Sequence, residues 1–203
     1  MGGKSGLVYG PLGLRTAHVC VDMQLIFAEE TSWKTPWLSR VLPNIVEIAG
    51  TYPEKTIFTR FVPADRPDCA SGMWKRYYER WSEMTLARIG IEMVALVPAL
   101  ARFAPPATII DKRVYSPWRT PILHRQLREM STDTLVISGG ETDVCVLATV
   151  LGAVDLGYRI VLATDALCSS SDETHDALLT LYESRFSEQI EAVSSSEILA
   201  NWQ

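Results

Sequence analysis

The sequence predicts an α/β protein, a single-domain three-layer α/β/α sandwich built on a six-stranded, mostly parallel sheet. Two observations carry that expectation. Short β-branched runs are each followed by a segment of helical periodicity, the pattern of strands joined by crossover helices. The chain has 203 residues, 47% hydrophobic and 21% charged, which is the size and composition of one globular unit.

In chain order, residues 1–15 read as a flexible tail and 16–203 as the domain. The first run is Ala17-His18-Val19-Cys20-Val21. Leu38, Val41, Leu42, Ile45 and Ile48 then recur at helical spacing. Thr56-Ile57-Phe58-Thr59 is the second run, and after it comes the one long interruption, 62–106. This insert carries Pro63, Pro67, Pro98, Pro105 and Pro106 and an aromatic group, Trp74, Tyr77, Tyr78 and Trp81. A segment of that length is expected to be a lid or binding loop with helices of its own. Its aromatic spacing fits a core- or subunit-facing stripe as well as it fits a substrate clamp.

Ala107-Thr108-Ile109-Ile110 is the third run, followed by a helical repeat through Ile122, Leu123, Leu127 and Met130. Thr134-Leu135-Val136-Ile137-Ser138 precedes a helix marked by Val146, Thr149, Val150, Ala153 and Leu156. Arg159-Ile160-Val161-Leu162-Ala163 and a weaker Gln189-Ile190-Glu191-Ala192-Val193 complete the set. Ser170 with Glu173, and Ser194 with Glu197, have the spacing of capping boxes for the last two helices.

Composition also excludes function classes. No apolar run approaches the roughly 18 residues of a membrane span. Nineteen Lys and Arg against 24 Asp and Glu give a net charge of -5, with no basic block to meet a nucleic-acid backbone. Met1 to Gly6 lacks the apolar core of a secretion signal, so a cytoplasmic protein is expected. Cys20, Cys69, Cys145 and Cys168 are scattered, which fits neither a disulfide framework nor a zinc pattern.

Ligands of open parallel sheets gather at the carboxyl ends of the strands. There the sequence places Asp22, then Asp111 and Lys112, then Gly139-Gly140-Glu141-Thr142-Asp143-Val144 leading to Cys145. Each has a plain alternative: an Asp after a strand is often a turn residue, a lone Lys a surface group, and a Cys a small core residue. Together they are more telling. A cysteine in the first turn of a helix is favoured as thiolate, Lys112 would lower its pKa further, and Asp22 would take its proton. Backbone N–H groups of the same turn would hold a developing oxyanion. Cys20 and Cys168 read as packing residues, and the double glycine lacks the partners of a phosphate loop.

Asp22-Met23-Gln24 with Phe27, Asp111-Lys112-x-x-Tyr115-Ser116, and Gly139 through Val146 resemble the three signature blocks of the isochorismatase-like cysteine hydrolases. Ala163-Thr164-Asp165-Ala166 and the segment 170–178 extend the resemblance, which covers the chain from about Ala17 onward. It implies an Asp22, Lys112, Cys145 triad that hydrolyses an amide or similar bond through a thioester. It also implies a non-proline cis peptide between Gly140 and Glu141, with the N–H groups of Glu141 and Cys145 as the oxyanion hole. Gln24, Phe27, Trp74, Tyr115 and Trp118 are the candidate substrate-binding residues, Pro117 and Trp118 departing from the family's usual small and phenylalanine residues.

The nicotinamidase branch places a metal-binding Asp-x-His and a further His after its first strands, whereas His18, His124 and His175 form no such pattern. No metal and no cofactor are therefore expected. The leading expectation is a metal-independent hydrolase of a small amide, ureide or carbamoyl compound. Two alternatives are a vinyl-ether hydrolase with Asp22 as general acid, and a catalytically silent binding relative. Trp33, Trp37 and Trp202 lie outside the strands, and such apolar surplus, together with the family's habit, points to a homo-oligomer.

Overall fold

The computed structural model describes residues 6–203. Its strands are β1 (Thr16–Val21), β2 (Thr56–Phe61), β3 (Thr108–Lys112), β4 (Thr134–Gly140), β5 (Arg159–Cys168) and β6 (Ile190–Val193). They form one sheet in the order β3-β2-β1-β4-β5-β6 with every pairing parallel. The order reverses beside β1, so the ends of β1 and β4 flank the switch point where such sheets bind ligands.

Helices cover both faces, because a parallel sheet joined by crossovers must be buried on each side. On one face α2 (Leu38–Thr51) sets Leu38, Val41, Ile45 and Ile48 against Cys20, Phe58, Val136 and Val161. On the other, α6 (Ile122–Glu129), α7 (Leu147–Asp155) and α8 (Asp172–Arg185) cover Val19, Val21, Ile57, Leu135 and Ile137. The central strands β1 and β4 are buried along their whole length. α1 (Leu25–Ala28) and α9 (Ser195–Asn201) complete the core layers. The insert folds into α3 (Met73–Arg80), α4 (Leu86–Ile89) and α5 (Pro98–Ala101) with short 3-10 turns between them.

Three expectations are corrected here. Of the expected tail, residues 1–5 lie outside the described residues, but from Gly6 onward the segment is docked. Leu12 is buried and bridges Trp202, the Tyr9 N–H donates to Glu191, and Arg159 donates to the Gly10 carbonyl. The apolar Leu7 and Leu12 supply the burial that makes this segment part of the core. The cap of α8 is Ser171, whose hydroxyl accepts from the Thr174 N–H, and not Ser170 with Glu173; Ser194 caps α9 as expected. The tryptophans do not form an exposed patch: Trp202 is buried and stacks on Tyr52 at 4.1 Å, Trp37 packs against the core, and Trp33 sits inside a ring cluster.

Candidate active site

Three strand ends build the site. β1 runs into Asp22, which has a left-handed φ of 52°. Its amide donates to the Thr59 carbonyl at 3.2 Å and its carboxylate accepts from the Thr59 hydroxyl at 2.7 Å. The other carboxylate oxygen accepts from Lys112 Nζ at 2.6 Å. Lys112 belongs to β3, where alternation sends Asp111 outward to pair with Arg60 and Lys112 inward. Its ammonium also donates to the Val114 carbonyl and lies 3.4 Å from Cys145 Sγ. Asp22, Lys112 and Cys145 are all buried, at 2%, 5% and 6% exposure.

Cys145 sits in a five-residue π-type turn, Thr142–Val146, which leads into α7. Before that turn the Gly140–Glu141 peptide is cis. The β5–α8 connection fastens the turn: Asp143 accepts hydroxyl bonds from Ser169 and Thr174, at 2.6 and 2.5 Å, and the Thr142 hydroxyl meets His175 Nδ1 at 2.8 Å. The Glu141 carboxylate accepts the Ser170 N–H, and the next residue, Ser171, caps α8.

Burial pushes the Cys145 thiol well above its ordinary pKa, the Asp22 carboxylate adds to that, and the Lys112 ammonium opposes both. Lys112 thus acts in the expected direction, but the expectation of a net lowered thiol is corrected, because desolvation wins. For Lys112 itself burial pulls downward, yet Asp22 and Cys145 outweigh it and hold the ammonium above its usual value. The resting arrangement is an ion pair touching a neutral thiol. Such a set can move one proton from sulfur to carboxylate while a fixed cation stabilises the thiolate as it forms.

A cavity of about 310 Å³ opens above Cys145. Glu141, Val144, Phe27, Phe61 and Tyr115 line it with Cys145, and Tyr77 and Trp81 enter from the insert. Ser32, Trp33, Lys34 and Ser170 complete the lining. Of the expected substrate-binding residues, Phe27 and Tyr115 therefore line the cavity and three do not. Gln24 is buried, its side-chain amide pairing with the N–H and C=O of Phe61 and with the Val94 carbonyl, so it fixes the end of β2 against the insert. Trp74 stands behind the wall, 4.9 Å from the Tyr115 ring and 5.3 Å from that of Tyr77. Trp118 is elsewhere: its indole N–H donates to the Thr149 carbonyl and its ring stacks on Tyr158 and lies against Gly152.

Sequence reasoning missed Trp33, Lys34 and Phe61 as lining residues and Thr59 as a partner of Asp22. Phe61 lies two residues past the run as read, so following β2 to its last buried residue would have found it. His18 lies between Thr56 and Ser138, His175 against Thr142 and His124 near Tyr158. Among the described residues no group of three or more His, Cys, Asp or Glu is placed to hold a metal ion, so the side chains present do not fit one.

The family model described as the isochorismatase domain matches residues 16–194. A cysteine hydrolase from Pseudomonas syringae pv. phaseolicola 1448A superposes with a TM-score of 0.77 at 24% identity, over 93% of this chain and 92% of that one. N-carbamoylsarcosine amidase from Thermoplasma acidophilum gives 0.71 at 19% identity, over 89% and 96%. A relative from Arabidopsis thaliana described as a probable inactive nicotinamidase is 27% identical over 169 residues, 80% of this chain and 85% of its own. With the family model spanning nearly the whole domain and the fold shared with these structures, this chain belongs to the isochorismatase family.

Proposed function

We propose that the protein is a metal-independent cysteine hydrolase that cleaves a C–N bond of a small amide, ureide or carbamoyl compound. The observation that carries this reading is the buried contact set behind the cavity-lining Cys145, Asp22 to Lys112 at 2.6 Å and Lys112 to Cys145 at 3.4 Å. Asp22 takes the thiol proton as sulfur attacks the carbonyl carbon, and Lys112 balances the new thiolate. The N–H groups of Glu141 and Cys145 are assigned to the oxyanion of the tetrahedral adduct. Collapse passes the proton from Asp22 to the leaving nitrogen and frees ammonia or an amine. Asp22 then removes a proton from water, which attacks the thioester and releases the acid with the thiol restored.

Names of neighbours support the reaction class: one is described as a cysteine hydrolase and another as a carbamoylsarcosine amidase. One relative is described as a probable inactive nicotinamidase; the three-group contact is what favours catalysis here. The test is ammonia release across a panel of small primary amides, ureides and carbamoyl compounds, with intact-mass detection of an acyl adduct. A turned-over compound with an adduct on Cys145 is the expected result. Release that continues in Cys145→Ala would overturn it.

A further inference from the structure

The cavity holds one charge that its own surroundings leave uncompensated. Asp22 and Lys112 neutralise each other, and Lys34 is paired with Glu30. Glu141 is different: one carboxylate oxygen accepts the Ser170 N–H, and no hydrogen bond or ion pair reaches the other among the described residues. Lining the same cavity is a cluster of rings organised around Trp33, whose ring centre lies 6.4 Å from Phe27, 6.0 Å from Phe61, 5.8 Å from Tyr77 and 6.4 Å from Trp81. Rings in this cluster already accept cations: Arg80 lies 5.1 Å from the centre of Trp81, and Lys112 lies 5.2 Å from that of Phe61.

We infer that the substrate carries an ammonium or similar organic cation, held between the Trp33-centred rings and the free oxygen of Glu141. This deepens the proposed hydrolase reading and rests on it for the word substrate. A neutral apolar group would satisfy the rings but would strip water from the half-buried Glu141 carboxylate and offer nothing in return. An anion would meet that carboxylate at close range. A cation answers both features, since ring faces and carboxylate attract it in the same partly desolvated space. Glu141 is thereby assigned a side-chain role in specificity, separate from its backbone N–H.

Three probes of similar shape without a cleavable bond test this: 2-phenylethylammonium, 2-phenylethanol and 3-phenylpropanoate, titrated into the full-length protein and followed by tryptophan fluorescence or calorimetry. The ammonium is expected to bind about tenfold or more tighter than the alcohol, and the propanoate weakest. Glu141→Gln, which keeps an acceptor for Ser170, should bring ammonium and alcohol to within about twofold. Tyr77→Leu should weaken the ammonium several-fold while leaving Glu141 in place. An alcohol as tight as the ammonium, a propanoate tighter than either, or a preference that survives in Glu141→Gln would each overturn the inference. None of the probes is hydrolysed, so these outcomes are independent of the ammonia-release test of the hydrolase reading.

Discussion

A β-carbon built on Gly139 would lie 2.1 Å from the carbonyl oxygen of Val21. The ends of β1 and β4 approach so closely that only glycine fits, and its φ of +108° is one that side chains rarely adopt. This approach sets Asp22, the residue after Val21, beside the turn that carries Cys145. Gly139→Ala should cost about 3 kcal/mol or more, because both backbone strain and a backbone clash oppose it. Urea unfolding would measure it; a loss under about 1 kcal/mol would mean that the two strands separate easily.

Cys145→Ala should abolish hydrolysis, a loss of at least about a thousandfold, while the unfolding midpoint stays near that of the parent. Cys20→Ala and Cys168→Ala should keep turnover, since both sulfurs lie in the core beneath the sheet face covered by α2. Each should cost about 1 kcal/mol of stability through lost packing. Ammonia release on the three variants separates the nucleophile from the packing thiols.

Lys112 and Asp22 should move the reactivity of Cys145 in opposite directions. The ammonium lowers the thiol pKa and the carboxylate raises it, so Lys112→Ala should shift the pH midpoint of iodoacetamide labelling upward and Asp22→Asn should shift it downward, each by roughly 1–3 units. Asp22→Asn should nonetheless lose turnover, because the proton acceptor is gone. An unchanged midpoint in Lys112→Ala would remove that residue from the site.

Acid should destabilise the fold through His18. Burial holds its pKa down, to about 3 from 6.5, with both ring nitrogens engaged by Thr56 and Ser138. The unfolded chain takes up the proton below pH 6.5 while the folded chain refuses it, so stability is complete above that pH and falls as pH drops toward 3. The loss between pH 7 and 5 should be about 2 kcal/mol from this group. Urea titrations at the two pH values would show it, and His18→Gln should flatten that part of the profile.

Dialysis against EDTA should leave ammonia release unchanged, given that the described side chains do not assemble a metal-ligand set. Activity lost to chelation and restored by zinc or manganese would contradict the proposed route through Asp22, Lys112 and Cys145 alone.

The strands and the three groups at their ends were legible because each rests on a local rule. β-branched runs mark buried parallel strands, and ligands collect where such strands finish. The rule gave Lys112 its place, although β3 in fact runs through it and alternation, rather than a loop, turns it inward. The balance of forces on Cys145 was not legible, since the helix start and the ammonium are visible in sequence while the depth of burial is not. Aromatic residues were the least readable. Trp118 and Trp33 look alike in sequence, but one wedges against Gly152 and the other anchors the cavity wall. Only packing against distant segments decides between them. Trp74, Tyr77 and Trp81 show the same ambiguity within one stretch, with Trp74 behind the wall and the other two on it.

The insert has a bearing on how this protein would respond to laboratory evolution. Tyr77 and Trp81 reach the cavity from a stretch outside the sheet, whereas Lys112 ends β3, Asp22 directly follows β1 and Cys145 lies in the turn after β4. Part of the cavity wall is thus carried by a segment outside the sheet, while the proposed reacting groups sit on or beside paired strand ends. Libraries randomised at Tyr77 and Trp81 should yield variants that favour other molecules with the pH profile of Cys145 labelling intact. Libraries at Thr59 or Gly139 should yield mostly proteins that no longer fold or no longer react.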